Sequence, residues 1–147
     1  MTTHALPIAE FAFPGPLRER LIAAILDGTK TSTSSMLLEY SIENEPLPVI
    51  GARQTVVDSH NSAVAIIQTV AVQIIRLADV GIEHARAEGV GFVSVAAWRT
   101  GHEAFWHSTE LKAHLKDPTF TVDDDTLVVL ERFQVIQLLG YALYSRL

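Results

Sequence analysis

Between residues 16 and 27 the apolar side chains Leu17, Leu21, Ala24 and Ile25 recur at the spacing of one helical face, with Arg18, Glu19 and Arg20 elsewhere on the turn. Pro16 has the fixed φ that suits a first helical turn, and Gly28 supplies a left-handed stop, so the pattern predicts a helix over 16–27. Residues 1–15, closed by Pro14-Gly15-Pro16, read as an irregular arm. The run Thr31-Ser32-Thr33-Ser34-Ser35 is too rich in short hydroxyl side chains for a helix interior, because those groups compete for backbone hydrogen bonds. A strand or an extended loop displaying hydroxyls is expected there. Residues 43–51, with Pro46 and Pro48, form a loop.

Residues 54–58 and 63–77 are β-rich and joined by the turn Ser59-His60-Asn61-Ser62, which predicts a hairpin with a long, bent second strand. Residues 79–88 and 94–115 carry helical spacing; Trp98, Phe105 and Trp106 would seat the second helix against a sheet, and Asp117-Pro118 ends it. The acidic turn Asp123-Asp124-Asp125 leads into a last strand over 126–138. Strands thus lie at both ends of a helical middle, with no internal repeat or linker. The expectation is one α+β domain with a small, mostly antiparallel β-barrel and flanking helices, its core over 17–138. The tail 139–147, with Tyr141, Leu143 and Tyr144, either covers the barrel or meets a second subunit, and the oligomeric state stays open.

Composition narrows the function classes. The chain has 147 residues, 48% of them hydrophobic, enough for a complete core without covalent staples. It has no cysteine, which removes disulfides, thiolate metal sites and cysteine nucleophiles and fits a reducing cytoplasm. The start lacks the basic residues and apolar run of a signal peptide, and Gln68, Thr69, Gln73 and Arg76 interrupt the most apolar stretch, so a soluble cytoplasmic protein is expected. A net charge of −6 opposes a broad grip on a phosphate backbone. No DNA partner is expected, and any RNA contact must be local.

Several chemistries find no foothold. Gly89-Val90-Gly91 opens like a dinucleotide fingerprint, but Ser94 stands at the third glycine position and no strand precedes it. Phosphate-loop and nucleophile-elbow motifs are absent. His107 and His114 would lie two turns apart on one helix, too far to share an ion, and the three aspartates lack a calcium-loop pattern, so neither metal nor cofactor is expected. What remains is Gly28-Thr29-Lys30-Thr31-Ser32-Thr33, where a helix end hands over to a hydroxyl-bearing segment, and His84-Ala85-Arg86-Ala87-Glu88-Gly89, with His84 and Glu88 on one helix face. In a strand Lys30 and Ser32 face one way and Thr31 and Thr33 the other, so a bend is needed to bring Lys30 and Thr33 together.

The combination carries more than its parts. Gly28-Thr29-Lys30-Thr31 after an amphipathic helix, Pro48-Val49-Ile50-Gly51 before a strand, Val57-Asp58, Ala65-Ile66-Ile67-Gln68-Thr69, Ala85-Arg86-Ala87-Glu88-Gly89 and Trp98-Arg99-x-x-His102-x-x-Phe105-Trp106 together resemble the ASCH family over residues 17–135. The resemblance implies a PUA-like fold, a barrel with helices flanking a cleft. Its implied roles are RNA binding, ribonuclease activity and hydrolysis of N4-acylated cytidines. Matched residue by residue, the catalytic set of the small amidohydrolase members becomes Lys30, Thr33 and Glu88. Longer members continue the glutamate motif with two further acids, where this chain has Val90 and Phe92. That change makes one edge of the cleft more apolar, suiting a base or an acyl chain better than a phosphate.

On this reading Thr33, or a water it holds, attacks the exocyclic amide carbonyl, a desolvated Lys30 takes the hydroxyl proton and Glu88 orients the base or the substrate amine. If Lys30 pairs closely with an ionised Glu88 it stays charged and serves the oxyanion instead. The plain alternative is a Lys30–Glu88 salt bridge that only closes the helix against the barrel. Arg53 and Arg99 are candidate phosphate or base contacts, Tyr40 and Trp98 candidate stacking rings, and Ser34 and His102 candidate polar contacts. The second function class is a non-catalytic reader of single-stranded or structured RNA using Lys30, Arg53, Arg86 and Arg99; a ribonuclease using His60, His84 or His102 stays open.

Overall fold

The computed structural model describes residues 5–144. In chain order its elements are β1 (Ile8–Ala9), α1 (Pro16–Asp27), β2 (Ser32–Met36), α2 (Leu37–Glu43), β3 (Arg53–Val57), β4 (Ala63–Arg76), a 3₁₀ turn (Leu77–Asp79), α3 (Ile82–Ala87), α4 (Val95–Trp106), α5 (Thr109–Leu115), β5 (Leu127–Leu138) and α6 (Gly140–Tyr144). The first helix follows its sequence signals: Pro16 opens it and Gly28, at φ 88°, closes it by donating to the Ile25 carbonyl. The hydroxyl-rich run is a strand, and the hairpin of β3 and β4 is present.

The five strands form one sheet in the order β1-β3-β4-β5-β2. All pairs are antiparallel except the parallel β1–β3 pair. Register shifts at Ile66/Ile67 and Thr69/Ala71 bend β4, and a further shift lies at Val56/Val57 in β3. The expected α+β domain with a mostly antiparallel sheet and flanking helices is present, but the sheet is not closed into a barrel, since β1 and β2 are both edges and no ladder joins them. Two residues are all that β1 contributes, and the segments that closure would pair instead face a shared cavity.

Two buried clusters flank that cavity. In one, Trp98, Trp106, Leu111 and Leu115 of α4 and α5 pack with Met36, Leu77, Val128 and Leu130. In the other, Ile22 and Ile25 of α1 meet Phe11, Val56, Val64, Ala65, Ile67, Phe133 and Ala142. Burial of such apolar area is the main source of stability, at roughly 25 cal/mol per Å².

Four sequence expectations are revised. The single helix over 94–115 is two helices, because the Ser108 hydroxyl accepts the Leu111 N–H at 3.2 Å and starts α5 afresh. The helical stretch over 79–88 shortens to a 3₁₀ turn and the six residues of α3. Helix α2 was unforeseen; the Glu39 carboxylate accepts the Met36 N–H at 2.8 Å where β2 turns into it. The irregular arm contains β1 and is stapled by Arg18, 1% exposed, whose guanidinium donates to the carbonyls of Phe11, Ala12 and Asp58. The described part of the tail lies on the sheet: Tyr141 donates to Asp58 at 2.8 Å and Ala142 is buried.

Candidate active site

The two motifs singled out in the sequence meet backbone to backbone. The Lys30 N–H bonds the Ala24 carbonyl at 3.0 Å and the Thr31 N–H bonds the Ala87 carbonyl at 2.7 Å. Gly89 has φ +76°, and a Cβ there would stand 2.5 Å from the Lys30 nitrogen and from the Thr29 carbonyl. Only glycine permits this approach.

The approach places Glu88 and Lys30 together inside the protein, 4% and 2% exposed. One carboxylate oxygen, Oε2, accepts the Trp98 indole N–H at 2.6 Å and the Ser34 hydroxyl at 2.7 Å, with His84 Nε2 at 3.2 Å. The other, Oε1, lies 3.1 Å from His102 Nε2 and 3.7 Å from Lys30 Nζ. Burial alone would raise the Glu88 pKa; hydrogen bonds from His102 and His84, then the charges of His102 and Lys30, outweigh it and hold the carboxyl well below its ordinary range. Lys30 shows the reverse balance. Burial pulls its pKa down, and Glu88 restores only part of the shift. Its Nζ donates to the Ser32 carbonyl at 2.6 Å and lies 5.8 Å from the Phe11 ring centre.

Ser34 is the hydroxyl that meets Glu88. Its Oγ also lies 2.7 Å from His84 Nε2. Because Ser34 donates to the ionised carboxylate, the imidazole must donate to Ser34, which leaves the hydroxyl oxygen one lone pair. His102 Nδ1 lies 2.9 Å from the Trp98 carbonyl, and its ring stacks on Trp98 at 4.3 Å between centres.

Around this group opens a cavity of about 640 Å³, the size of a small-ligand site. Lys30, Thr33, Ser34, Tyr40, Glu88 and His102 all line it, so six of the nine candidate residues share one space. Thr33 lies on the other side of β2 from Ser34, and its hydroxyl has no protein partner among the described residues. Burial pushes the Tyr40 phenol up to about 12, keeping it protonated. Trp98 is wholly buried and serves Glu88, so its ring offers no face to a ligand. Arg53 and Arg99 are not among the lining residues; the Arg99 guanidinium is engaged by Glu103 and Asp124.

The walls also contain residues outside the nine candidates. Phe11 and Phe13 come from the arm, and Val90 and Phe92, the apolar replacements, line the cavity as that substitution implied. Glu10, Glu39, Glu43, Glu45 and Glu131 also line it. Burial raises the Glu131 pKa, against a hydrogen bond from Thr69 at 2.6 Å. His84 was legible through its i, i+4 spacing to Glu88. The remaining wall residues are spread over many elements and loops, and most carry no local signal. Among the described residues, no group of three His, Asp or Glu side chains is arranged to hold a metal ion, and no helix is long and apolar enough to cross a membrane.

The family model described as ASCH domain matches residues 10–137. A crystal structure of a protein from Enterococcus faecalis is similar at a TM-score of 0.77 and 28% identity, covering 94% of this chain and 79% of that one. A crystal structure of an ASCH domain from Lactobacillus crispatus is similar at a TM-score of 0.75 and 26% identity, covering 89% and 79%. No curated protein matches the sequence.

Proposed function

Since the chain belongs to the ASCH domain family, we propose that it is an amidohydrolase of N4-acylated cytidine-like nucleosides, with Lys30, Thr33 and Glu88 as its catalytic set. The observation that carries the reading is a buried lysine, a buried, ionised glutamate and, among the described residues, an unpartnered threonine hydroxyl that share one cavity. Thr33 Oγ1 attacks the acyl carbonyl carbon while its proton passes to Lys30 Nζ. The bond from that carbon to the exocyclic nitrogen then breaks, the proton moves to the departing nitrogen, and water releases the acid from Thr33. Glu88 already accepts at both oxygens, so its part is to hold Ser34 and His102 in place and orient the base.

The lining charges favour a neutral nucleoside over RNA. Six glutamates, Glu88 included, border the cavity against the cations Arg18, Arg20 and Lys30, and Arg53 and Arg99 do not line it. A phosphate would have to displace that field. The test is chromatographic turnover of N4-acetylcytidine by the purified protein and by folded Lys30→Ala, Thr33→Ala and Glu88→Gln variants. Cytidine release by the parent, lost at least hundredfold in the variants and nearly unchanged between low and physiological salt, is expected. Absence of turnover across acetyl and bulkier acyl groups, with salt-dependent RNA binding in its place, would overturn the reading in favour of an RNA-binding module or ribonuclease.

A further inference from the structure

His102 stands between two acceptors. Nδ1 faces the Trp98 carbonyl at 2.9 Å, and a carbonyl only accepts, so that nitrogen carries a proton. Nε2 faces Glu88 Oε1 at 3.1 Å, while Oε2 of the same carboxyl accepts the Trp98 indole N–H at 2.6 Å and the Ser34 hydroxyl at 2.7 Å, the pattern of an ionised, accepting carboxylate. Two bare acceptors would repel at that distance, so the geometry is that of a ring donating from both nitrogens. The surrounding rings suit a cation: Trp98 at 4.3 Å, Trp106 at 5.3 Å and Phe92 at 5.8 Å between centres.

The same carboxylate oxygen is 3.7 Å from Lys30 Nζ, beyond hydrogen-bond reach, while the amine spends a donor on the Ser32 carbonyl. We propose that His102 is the counter-charge of Glu88 and thereby a positioning residue that frees Lys30 to act as an uncharged base. Without it the lysine would be the obvious cation for a buried carboxylate and would stay protonated. This inference rests on the amidohydrolase reading for its use, though not for its charge arrangement. The groups bearing on Lys30 are Glu88 beyond the end of α3, His84 on α3, His102 on α4, the Phe11 ring on the arm and, on the same cavity, Glu131 on β5 and Glu10.

The charge arrangement is tested by nitrogen-15 NMR of the lysine side chains, which are only Lys30, Lys112 and Lys116. In folded His102→Ala and His102→Gln variants the Lys30 ammonium should hold its proton to a pH at least one unit higher than in the parent. His102→Gln keeps a donor to Glu88 without the charge, so it should behave like alanine. Where the parent turns over N4-acetylcytidine, the acidic limb of kcat/KM should move up by the same unit and alkaline pH should restore the rate. An unmoved Lys30 titration in both variants, or a Gln variant matching the parent, overturns the proposal. A parent that turns over nothing overturns the amidohydrolase reading alone, since the NMR comparison needs no substrate.

Discussion

At the scale of single residues, the site is organised by a carboxylate that cannot afford to be lost. Glu88 collects four donors from β2, α3 and α4, and each would be left with a buried, unsatisfied polar group if the acceptor charge vanished. Its folded pKa is depressed below the value near 4.5 of the unfolded chain, so the unfolded state binds the proton more readily. The contribution is therefore fully present above about pH 4.5 and is lost as pH falls through the lower, folded value. Lys30 has the same sign in a different window: depressed in the fold, it opposes folding wherever the unfolded lysine is protonated, and that penalty fades as pH rises. Urea denaturation of the parent between pH 3 and 7 should show a steep acid loss. In Glu88→Gln the curve should be lower at pH 7 and visibly flatter.

Elements set what the sequence could and could not reveal. Helix α1, strand β2 and the β3–β4 hairpin were legible because each carries its own punctuation: Pro16 and Gly28, a hydroxyl run, a polar turn. The break at His107-Ser108 was not, because the apolar periodicity runs on across it and only the Ser108 cap declares the new start. Strand β1 was hidden for another reason, since two residues have no period and are placed by pairing with β3 and by the Arg18 staple. In the site, the resemblance to the family singled out Lys30, Thr33 and Glu88, with Ser34 and His102 as further candidate contacts, whereas Phe11, Phe13 and Glu131 reach the cavity only through tertiary packing. Gly89→Ala tests the contact between the two motif-bearing elements. Its Cβ meets main chain rather than a yielding side chain, and φ is already positive. Destabilisation of about 3 kcal/mol or more is expected in equilibrium denaturation, with activity falling further than stability as Lys30 and Glu88 separate.

For the molecule as a whole, the open sheet is what provides room for a ligand. Were β1 and β2 paired, the cavity they border would be closed off by their ladder. The arm covers part of that gap without sealing it, held by guanidinium bonds to three carbonyls. Arg18→Leu should leave those carbonyls unsatisfied, destabilise the protein by about 2–4 kcal/mol and loosen the phenylalanines on the cavity wall. Steady-state kinetics should then show KM rising several-fold with a smaller change in kcat, because the reacting groups sit on other elements.

The backbone junction at Gly89 also separates what must stay fixed from what is free to vary. Lys30 and Glu88 are indexed to each other by main-chain atoms, and Ser34, Trp98 and His102 then hold the Glu88 carboxylate. Val90 and Phe92, one and three residues beyond that junction, shape the space the ligand fills. On the proposed function, substitution at Val90 should change the range of accepted molecules with little effect on the chemistry, whereas Phe92, 5.8 Å from the His102 ring, bears on both.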